Sequence, residues 1–261
     1  MGMLLVIDIG NSSITTGIFS AHRLLGRLDI PTRALHDPGR YKSEIDAFLA
    51  KEKAGKPLDG VIISSVVPEL TDTLACSVRE LSTGEPLTVS HSLSLGLTVD
   101  LERPEEIGSD RIANAVAALE ALGSPVAVVD FGTATTISVV RDSRFLGGAI
   151  LPGIRLMGEA LHGGTAKLPG VDFAGKTVGL VSSVAALGKS TTACIISGMI
   201  YGTAGAVERI IRGIETEEGC GFKVIATGGY SSLVVRYMER EFFLDPDLTL
   251  RGLRLIYERN A

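Results

Sequence analysis

Short apolar runs broken by turn residues open the chain. Residues 3–9 are rich in Leu, Val and Ile, and residues 14–19 (ITTGIF) and 23–30 (RLLGRLDI) continue in the same manner. Three such runs joined by short turns predict an antiparallel meander. The period then changes. Ile45, Phe48 and Leu49 within 41–53 have helical spacing, whereas 60–67 (GVIISSVV) is a continuous apolar run and predicts a buried strand. Pro68 stands where a helix can begin, with PELTDTLACSVRELS behind it, and 87–90 (LTVS) predicts another strand.

The same succession starts again in the second half. Residues 109–122 (SDRIANAVAALEAL) predict a helix, with Ile112, Val116 and Leu119 on one side. Strands are predicted at 126–131, 135–140 and 144–150, a long helix at 190–213, and a strand at 223–227 running into Gly228-Gly229 and a further helix. A β-β-β-α-β-α order that repeats predicts an α/β protein of two lobes with mixed sheets. The expected division is 1–118 and 119–261.

The repeat is visible in the residues themselves. LLVIDIGNSSITTG (4–17) and VAVVDFGTATTISV (126–139) each end an apolar run at an aspartate, followed by one residue, a glycine and a cluster of hydroxyl or amide side chains. Two such polar tips facing each other across a cleft could hold the two ends of a polyphosphate.

Composition narrows the class. With 261 residues, 45% of them hydrophobic, the chain can bury a core in each lobe. A net charge of −5 with scattered Lys and Arg gives no nucleic-acid footprint, and 5% aromatics without Trp give no stacking platform. Cys76, Cys194 and Cys220 are odd in number and far apart, which fits reduced thiols; Cys194 is expected to be a small buried apolar residue. The apolar start LLVI is too short for a leader, and no stretch is expected to span a bilayer. A soluble cytoplasmic protein is the expectation.

Candidate chemistry gathers at the turns. In Asp8-Ile9-Gly10-Asn11-Ser12-Ser13 the carboxylate ends a buried strand, Gly10 lets backbone approach a ligand, and the following side chains offer donors. Such a loop suits phosphate oxygens, with the carboxylate toward a magnesium ion or its waters. An ordinary hairpin turn has similar composition, but the second copy, Asp130-Phe131-Gly132-Thr133-Ala134-Thr135-Thr136, argues against coincidence. Gly108-Ser109-Asp110-Arg111 precedes a helix. Ser109 can cap it and Asp110 can favour its positive end; alternatively Asp110 is a general base beside Arg111. These residues alone do not choose between the two. The glycines of 147–153 (GGAILPG) and of Thr227-Gly228-Gly229 allow sharp turns at sheet edges.

Other signals are weaker. Gly188-Lys189-Ser190-Thr191 has Ser183 where a phosphate loop requires glycine, so Ser190 or Thr191 as a helix cap is simpler. His22, His36, His91 and His162 have no metal-ligand spacing. Gly198, Gly202 and Gly205 are unusual inside a helix; they suit close packing against another helix, in the same lobe or in a second subunit.

Taken in order, DIGNSSITTG, GSDRIANAV, DFGTATT, GGAILPG, TAKLP, GKSTTACIISGMIYG and TGG resemble the type III pantothenate kinases, of the superfamily that includes actin, sugar kinases and heat-shock chaperone ATPases. The resemblance covers nearly the whole chain. It implies two ribonuclease H-like lobes with a nucleotide cleft between them, a homodimer, and ATP-dependent phosphorylation of pantothenate, the first step of coenzyme A biosynthesis. It also implies the site residues. Asp8, Ile9, Gly10, Asn11, Ser12, Ser13, Ile14 and Thr15 would form the phosphate loop, with Asp8 near Mg²⁺, and Thr133 would contact ATP. Gly108, Ser109, Asp110, Arg111 and Thr191 would meet pantothenate, with Asp110 as proton acceptor. Asp130 would bind a monovalent cation, K⁺ or NH₄⁺. Leu101 stands where relatives often carry an aromatic pocket residue, Ser12 where they commonly have Thr, and Ser109 where they commonly have Ala. Two other readings are an ATPase or phosphatase using water as acceptor, and a non-catalytic binding protein on the same fold.

Overall fold

A computed structural model describes residues 2–32, 38–52, 58–82, 84–171 and 183–261. The chain forms two compact units. The first comprises 1–121, 143–145 and 247–261; the second comprises 122–142 and 146–246.

The meander at the start forms as expected: β1 (Met3–Ile9), β2 (Ser13–Ser20) and β3 (Arg23–Pro31). Helix α1 (Pro38–Glu52), β4 (Leu58–Ser65), α2 (Pro68–Val78) and β5 (Leu87–Thr88) follow. The first sheet runs β3-β2-β1-β4-β5, antiparallel through β1 and parallel beyond it. Pro68 occupies the first turn of α2, where its missing N–H costs nothing.

Both faces of this sheet are covered, and strand alternation assigns each residue to one of them. Leu5, Ile7 and Ile9 of β1 pack with Tyr41 and Ile45 of α1 and Leu74 of α2. Leu4 and Val6 pack with Ile112 and Val116 of α3 (Ser109–Leu122) and with Leu253 and Ile256 of α7 (Leu248–Asn260). Asp8 has the parity of Leu4 and Val6, so it stands on the α3 face. In β4, Ile62 belongs to that same core and Ser64 has its parity.

The second unit repeats the plan with β7 (Val126–Phe131), β8 (Ala134–Arg141), β9 (Arg144–Pro152) and β10 (Lys223–Thr227). Its strands are ordered β11-β10-β7-β8-β9, with β11 (Phe243–Leu244) parallel to β10. The two-residue β6 (Thr98–Val99) pairs in parallel with Arg144 and Phe145 at the start of β9. Helix α4 (Ile154–Gly163), α5 (Thr191–Glu218) and the short α6 (Ser231–Val234) complete the described strands and α-helices. Ala127, Val129 and Phe131 of β7 meet Ile200, Ala204 and Val207 of α5 in one core.

Several expectations need correction. Helices α4 and α7 and strands β6 and β11 were not foreseen. Helix α7 also joins the first unit, so a simple cut between residues 118 and 119 does not describe the compact units. Gly252 explains its docking: a Cβ there would collide with the Ala113 carbonyl of α3. Helix α5 is, by length and composition, apolar enough to cross a membrane, contrary to the sequence expectation. Half of that apolar window is buried within the protein, as in a core helix. Cys194 is exposed rather than buried, and its Sγ lies 3.4 Å from the Gly188 carbonyl. His22, His91 and His162 are exposed, and His36 lies outside the described residues.

Candidate active site

In the first unit, the polar residues gather where β1 and β4 end and α3 begins. β1 and β4 run in parallel with Asp8 opposite Ser64, so a carboxylate and a hydroxyl end neighbouring strands on the same face. Ser64 Oγ donates to Asp8 Oδ1 at 2.7 Å. The turn after β1 is tied down by its backbone. Gly10 N–H donates to the Ser13 carbonyl at 3.0 Å, and Thr32 donates to the Ser12 carbonyl through its N–H and to the Gly10 carbonyl through Oγ1 at 2.7 Å. Asn11 and Ser13 are exposed and Ser12 is half-buried, so this turn presents donors outward.

The rest of the predicted loop is divided. Ile9 and Ile14 are opposite each other across β1 and β2, and both side chains lie in the core. Only their backbones can meet a ligand. Thr15 Oγ1 donates to Asp29 Oδ1 at 2.7 Å, and Asp29 is itself bound by Arg27. The Thr15 hydroxyl therefore serves β2–β3 cohesion.

Gly108-Ser109-Asp110-Arg111 shows why each residue type stands where it does. The Gly108 carbonyl accepts the Ile112 N–H, which starts α3. Asp110 folds back, and its Oδ1 accepts the Arg111 N–H at 2.8 Å. A Cβ on residue 108 would collide with that same Oδ1, so glycine makes room for the carboxylate. Burial raises the Asp110 pKa above the ordinary carboxylate value, opposed by its bond to the Arg111 N–H and by the Arg111 charge. Burial likewise lowers Arg111, whose guanidinium lies 5.3 Å from the centre of the Phe145 ring. A carboxylate whose affinity for a proton is raised by burial is the better proton acceptor.

Ser109 departs from the expected cap. Its hydroxyl is buried and points to β4, accepting from the Ser65 N–H at 2.8 Å and lying 2.9 Å from the Ser65 carbonyl and 3.0 Å from Ser64 Oγ. Ser64 was overlooked in the sequence. The available signal was a pair of serines ending an otherwise apolar strand. Leu101 is half-buried on the stretch between β6 and α3.

The second unit assembles the second copy of the repeat. Asp130 is paired with Thr136 on β8 and Thr227 on β10. Gly228 has φ +89°, and a Cβ there would collide with Asp130 Oδ1; a Cβ at Gly132 would lie 3.2 Å from the same atom. Gly153 packs on the adjacent turn, its N–H donating to the Thr133 carbonyl at 3.1 Å, with no room for a side chain against Gly132 and Thr133. DFGT and TGG, separate in sequence, thus meet at one carboxylate, and the Pro152-Gly153 pair packs on the turn that follows it. Thr191 is exposed at the first turn of α5, capped by Ser190, whose Oγ accepts from the Ala193 N–H at 3.2 Å.

Known proteins resemble the chain in sequence and in fold. The family profile of type III pantothenate kinases matches residues 4–213. The type III pantothenate kinase of Moorella thermoacetica is 39% identical over 268 residues, covering 99% of this chain and 100% of its own. That of Brevibacillus brevis is 40% identical over 260 residues, covering 99% of each. Among solved structures, the ethanolamine utilization protein EutJ of Carboxydothermus hydrogenoformans superposes with a TM-score of 0.58 at 17% identity, covering 98% of this chain and 90% of that one. The inorganic polyphosphate/ATP-glucomannokinase of an Arthrobacter strain gives 0.53 at 16% identity, with both chains fully covered. At such identities the structures speak to the fold alone.

Proposed function

The chain belongs to the type III pantothenate kinases, which phosphorylate pantothenate in coenzyme A biosynthesis, and from that premise we propose how its residues divide the work. Asp110 is the general base. The pantothenate hydroxyl oxygen bonds to the γ-phosphorus of ATP as the bond to the β–γ bridging oxygen breaks. ADP leaves, and the hydroxyl proton passes to the Asp110 carboxylate. Phosphoryl transfer asks mainly for positioning and charge neutralisation, with little covalent help. The observation that carries this reading is the carboxylate itself, raised in pKa by burial and accommodated by a glycine two residues earlier.

Asp8 suits a magnesium ion. Among the described residues no group of three or more acidic, His or Cys side chains gathers to form a protein cage. Mg²⁺ characteristically takes one or two carboxylates and completes its shell with substrate phosphates and water. Asp8, held by Ser64 beside the exposed donors of the 10–13 turn, fits that mode. When bound, the ion offsets phosphate charge. Asp130 is proposed to hold K⁺ or NH₄⁺, because only glycine at 228 lets the backbone of that turn approach its Oδ1, with Gly132 close by on the other side. Thr133 is assigned to ATP. Gly108, Arg111, Leu101 and Thr191 are assigned to pantothenate. Ser109 is adjacent to that group, but its hydroxyl is engaged with β4.

We further propose a homodimer. Cys194, Gly198, Tyr201, Gly202 and Gly205 form an exposed stripe on α5, and among the described residues a Cβ at any of the three glycines would meet nothing within 4 Å. Close packing against the described residues of the unit therefore does not account for them, whereas a helix of a second copy would. Exposed Leu187 adds apolar surface at 77% exposure. Exposed free thiols at Cys76 and Cys194 suit a reducing, cytoplasmic setting, and the net charge of −5 disfavours nucleic acid or an anionic membrane as partner.

The decisive experiment follows phosphopantothenate formation from ATP with and without K⁺, for the wild type and Asp110→Asn. K⁺-dependent product that disappears in the variant supports the assignment. Near-normal turnover of Asp110→Asn removes Asp110 as the base.

A further inference from the structure

Asp8 ends its strand in contact with a residue that the sequence presents only as part of a buried strand. Ser64 is 0% exposed, and a buried hydroxyl costs free energy unless it is bonded. Its proton can serve one acceptor at a time, and Asp8 Oδ1 at 2.7 Å takes it. In the 3.0 Å contact between Ser64 Oγ and Ser109 Oγ, Ser64 is then the acceptor. Ser109 donates its single proton to the Ser65 carbonyl at 2.9 Å and accepts from the Ser65 N–H at 2.8 Å, so Ser64 Oγ competes with that carbonyl for it. The Ser64 proton therefore ends on the Asp8 charge, while Ser109 ties the start of α3 to the Ser65 backbone and lies 3.0 Å from Ser64 Oγ. The same Ser109 is the first residue of α3, one position before Asp110.

We propose that Ser64 and Ser109 are positioning residues for phosphoryl transfer. Their relay orients the Asp8 carboxylate toward the metal-bearing phosphates and fixes the start of α3, and with it Asp110, to the end of β4. This rests on the assignment of Asp8 to magnesium. Partners that orient a metal-binding carboxylate commonly matter about 10- to 100-fold to metal affinity. An alanine at 109 would leave the Ser65 backbone to hold α3 without its hydroxyl clamp.

The test uses the full-length protein and a non-hydrolysable ATP analogue, titrated calorimetrically at a series of Mg²⁺ concentrations, with steady-state kinetics and thermal unfolding alongside. Ser64→Ala is expected to bind Mg²⁺–analogue about tenfold more weakly and to need correspondingly more Mg²⁺ for half-maximal rate. Its KM for pantothenate should stay within about twofold, because Ser109 still clamps the start of α3 to the Ser65 backbone. Ser109→Ala should shift the same readouts less, because the Ser64 bond to Asp8 survives it. Ser64→Thr, which keeps the hydroxyl, should recover Mg²⁺ dependence. Should Ser64→Ala fail to fold, Ser109→Ala carries the test. Wild-type Mg²⁺–analogue binding in the serine variants, beside weak binding in Asp8→Asn, would overturn the relay and leave the Asp8 assignment standing. Wild-type binding in Asp8→Asn would overturn both, because the relay would then have no metal carboxylate to aim.

Discussion

Gly108 and the Asp110 carboxylate compete for one space: a Cβ on residue 108 would collide with Asp110 Oδ1. The carboxylate can be displaced without disturbing the body of α3. Gly108→Ala is therefore expected to keep a wild-type melting curve and to lose kcat by roughly 10- to 100-fold, a part of the 100- to 10,000-fold that a general base supplies. An unfolded variant, or one with unchanged kcat, would contradict this account.

Asp110→Asn separates activity from stability. Its pKa is raised by burial, so the folded protein holds the proton more tightly than the unfolded chain. Between the unfolded and folded pKa values the native state binds more protons, and stability falls as pH rises through that window. Above it the full cost of the buried charge is present; below both values it is absent. Asp110→Asn should thus be at least as stable as wild type at neutral pH, with no advantage in strong acid. The acid limb of kcat/KM should lie above the ordinary carboxylate range in the wild type. Melting temperature and rate, both followed against pH, check the pair of expectations.

Removal of the second carboxylate should act on cation dependence. Asp130→Asn is expected to abolish stimulation by KCl over NaCl while preserving Mg²⁺ dependence. Equal stimulation in wild type and variant would reassign Asp130. Gly228→Ala is a harsher change, because φ is +89° and the new Cβ would also strike the Phe131 backbone. A non-glycine residue in sparsely allowed backbone costs on the order of 1–3 kcal/mol, so denaturant unfolding should show a clear loss.

The glycines of α5 make opposite predictions for stability and assembly. Alanine is favoured over glycine by about 0.8–1 kcal/mol in a helix interior, and nothing among the described residues obstructs it at residue 202. Gly202→Ala should not destabilise the subunit. Gly202→Leu should fold and dissociate the dimer, as light scattering on a sizing column would reveal. A dimer that survives Gly202→Leu places the interface elsewhere.

Much of the architecture was legible because it is local. The boundaries of α3 and of β1, β7 and β10 follow from apolar periodicity, and β4 was displaced by two residues because Val66 and Val67 continue the apolar run beyond the paired strand. Helix α7 was not legible. Its apolar residues at 248, 250, 253 and 256 are interrupted by Arg251, Arg254 and Gly252, and the glycine reads as a helix weakness until Ala113 is seen against it. Cys194 misled for a related reason: it sits on an apolar helix whose second face is left exposed.

The sequence by itself determined the two Asp-x-Gly turns, the order of motifs that identifies the family, and the residue types able to do its chemistry. Those are properties of short segments, where side-chain period and turn chemistry dominate. Tertiary structure decided which residues touch. It set Ser64 beside Asp8 through parallel pairing of strands 56 residues apart, turned Ser109 from an expected cap into a clamp on β4, and gathered Gly132, Gly153 and Gly228 around the Asp130 turn. It also carried the final helix back onto the first sheet. Contacts of this kind depend on register and on burial shared between distant segments, which no local pattern encodes.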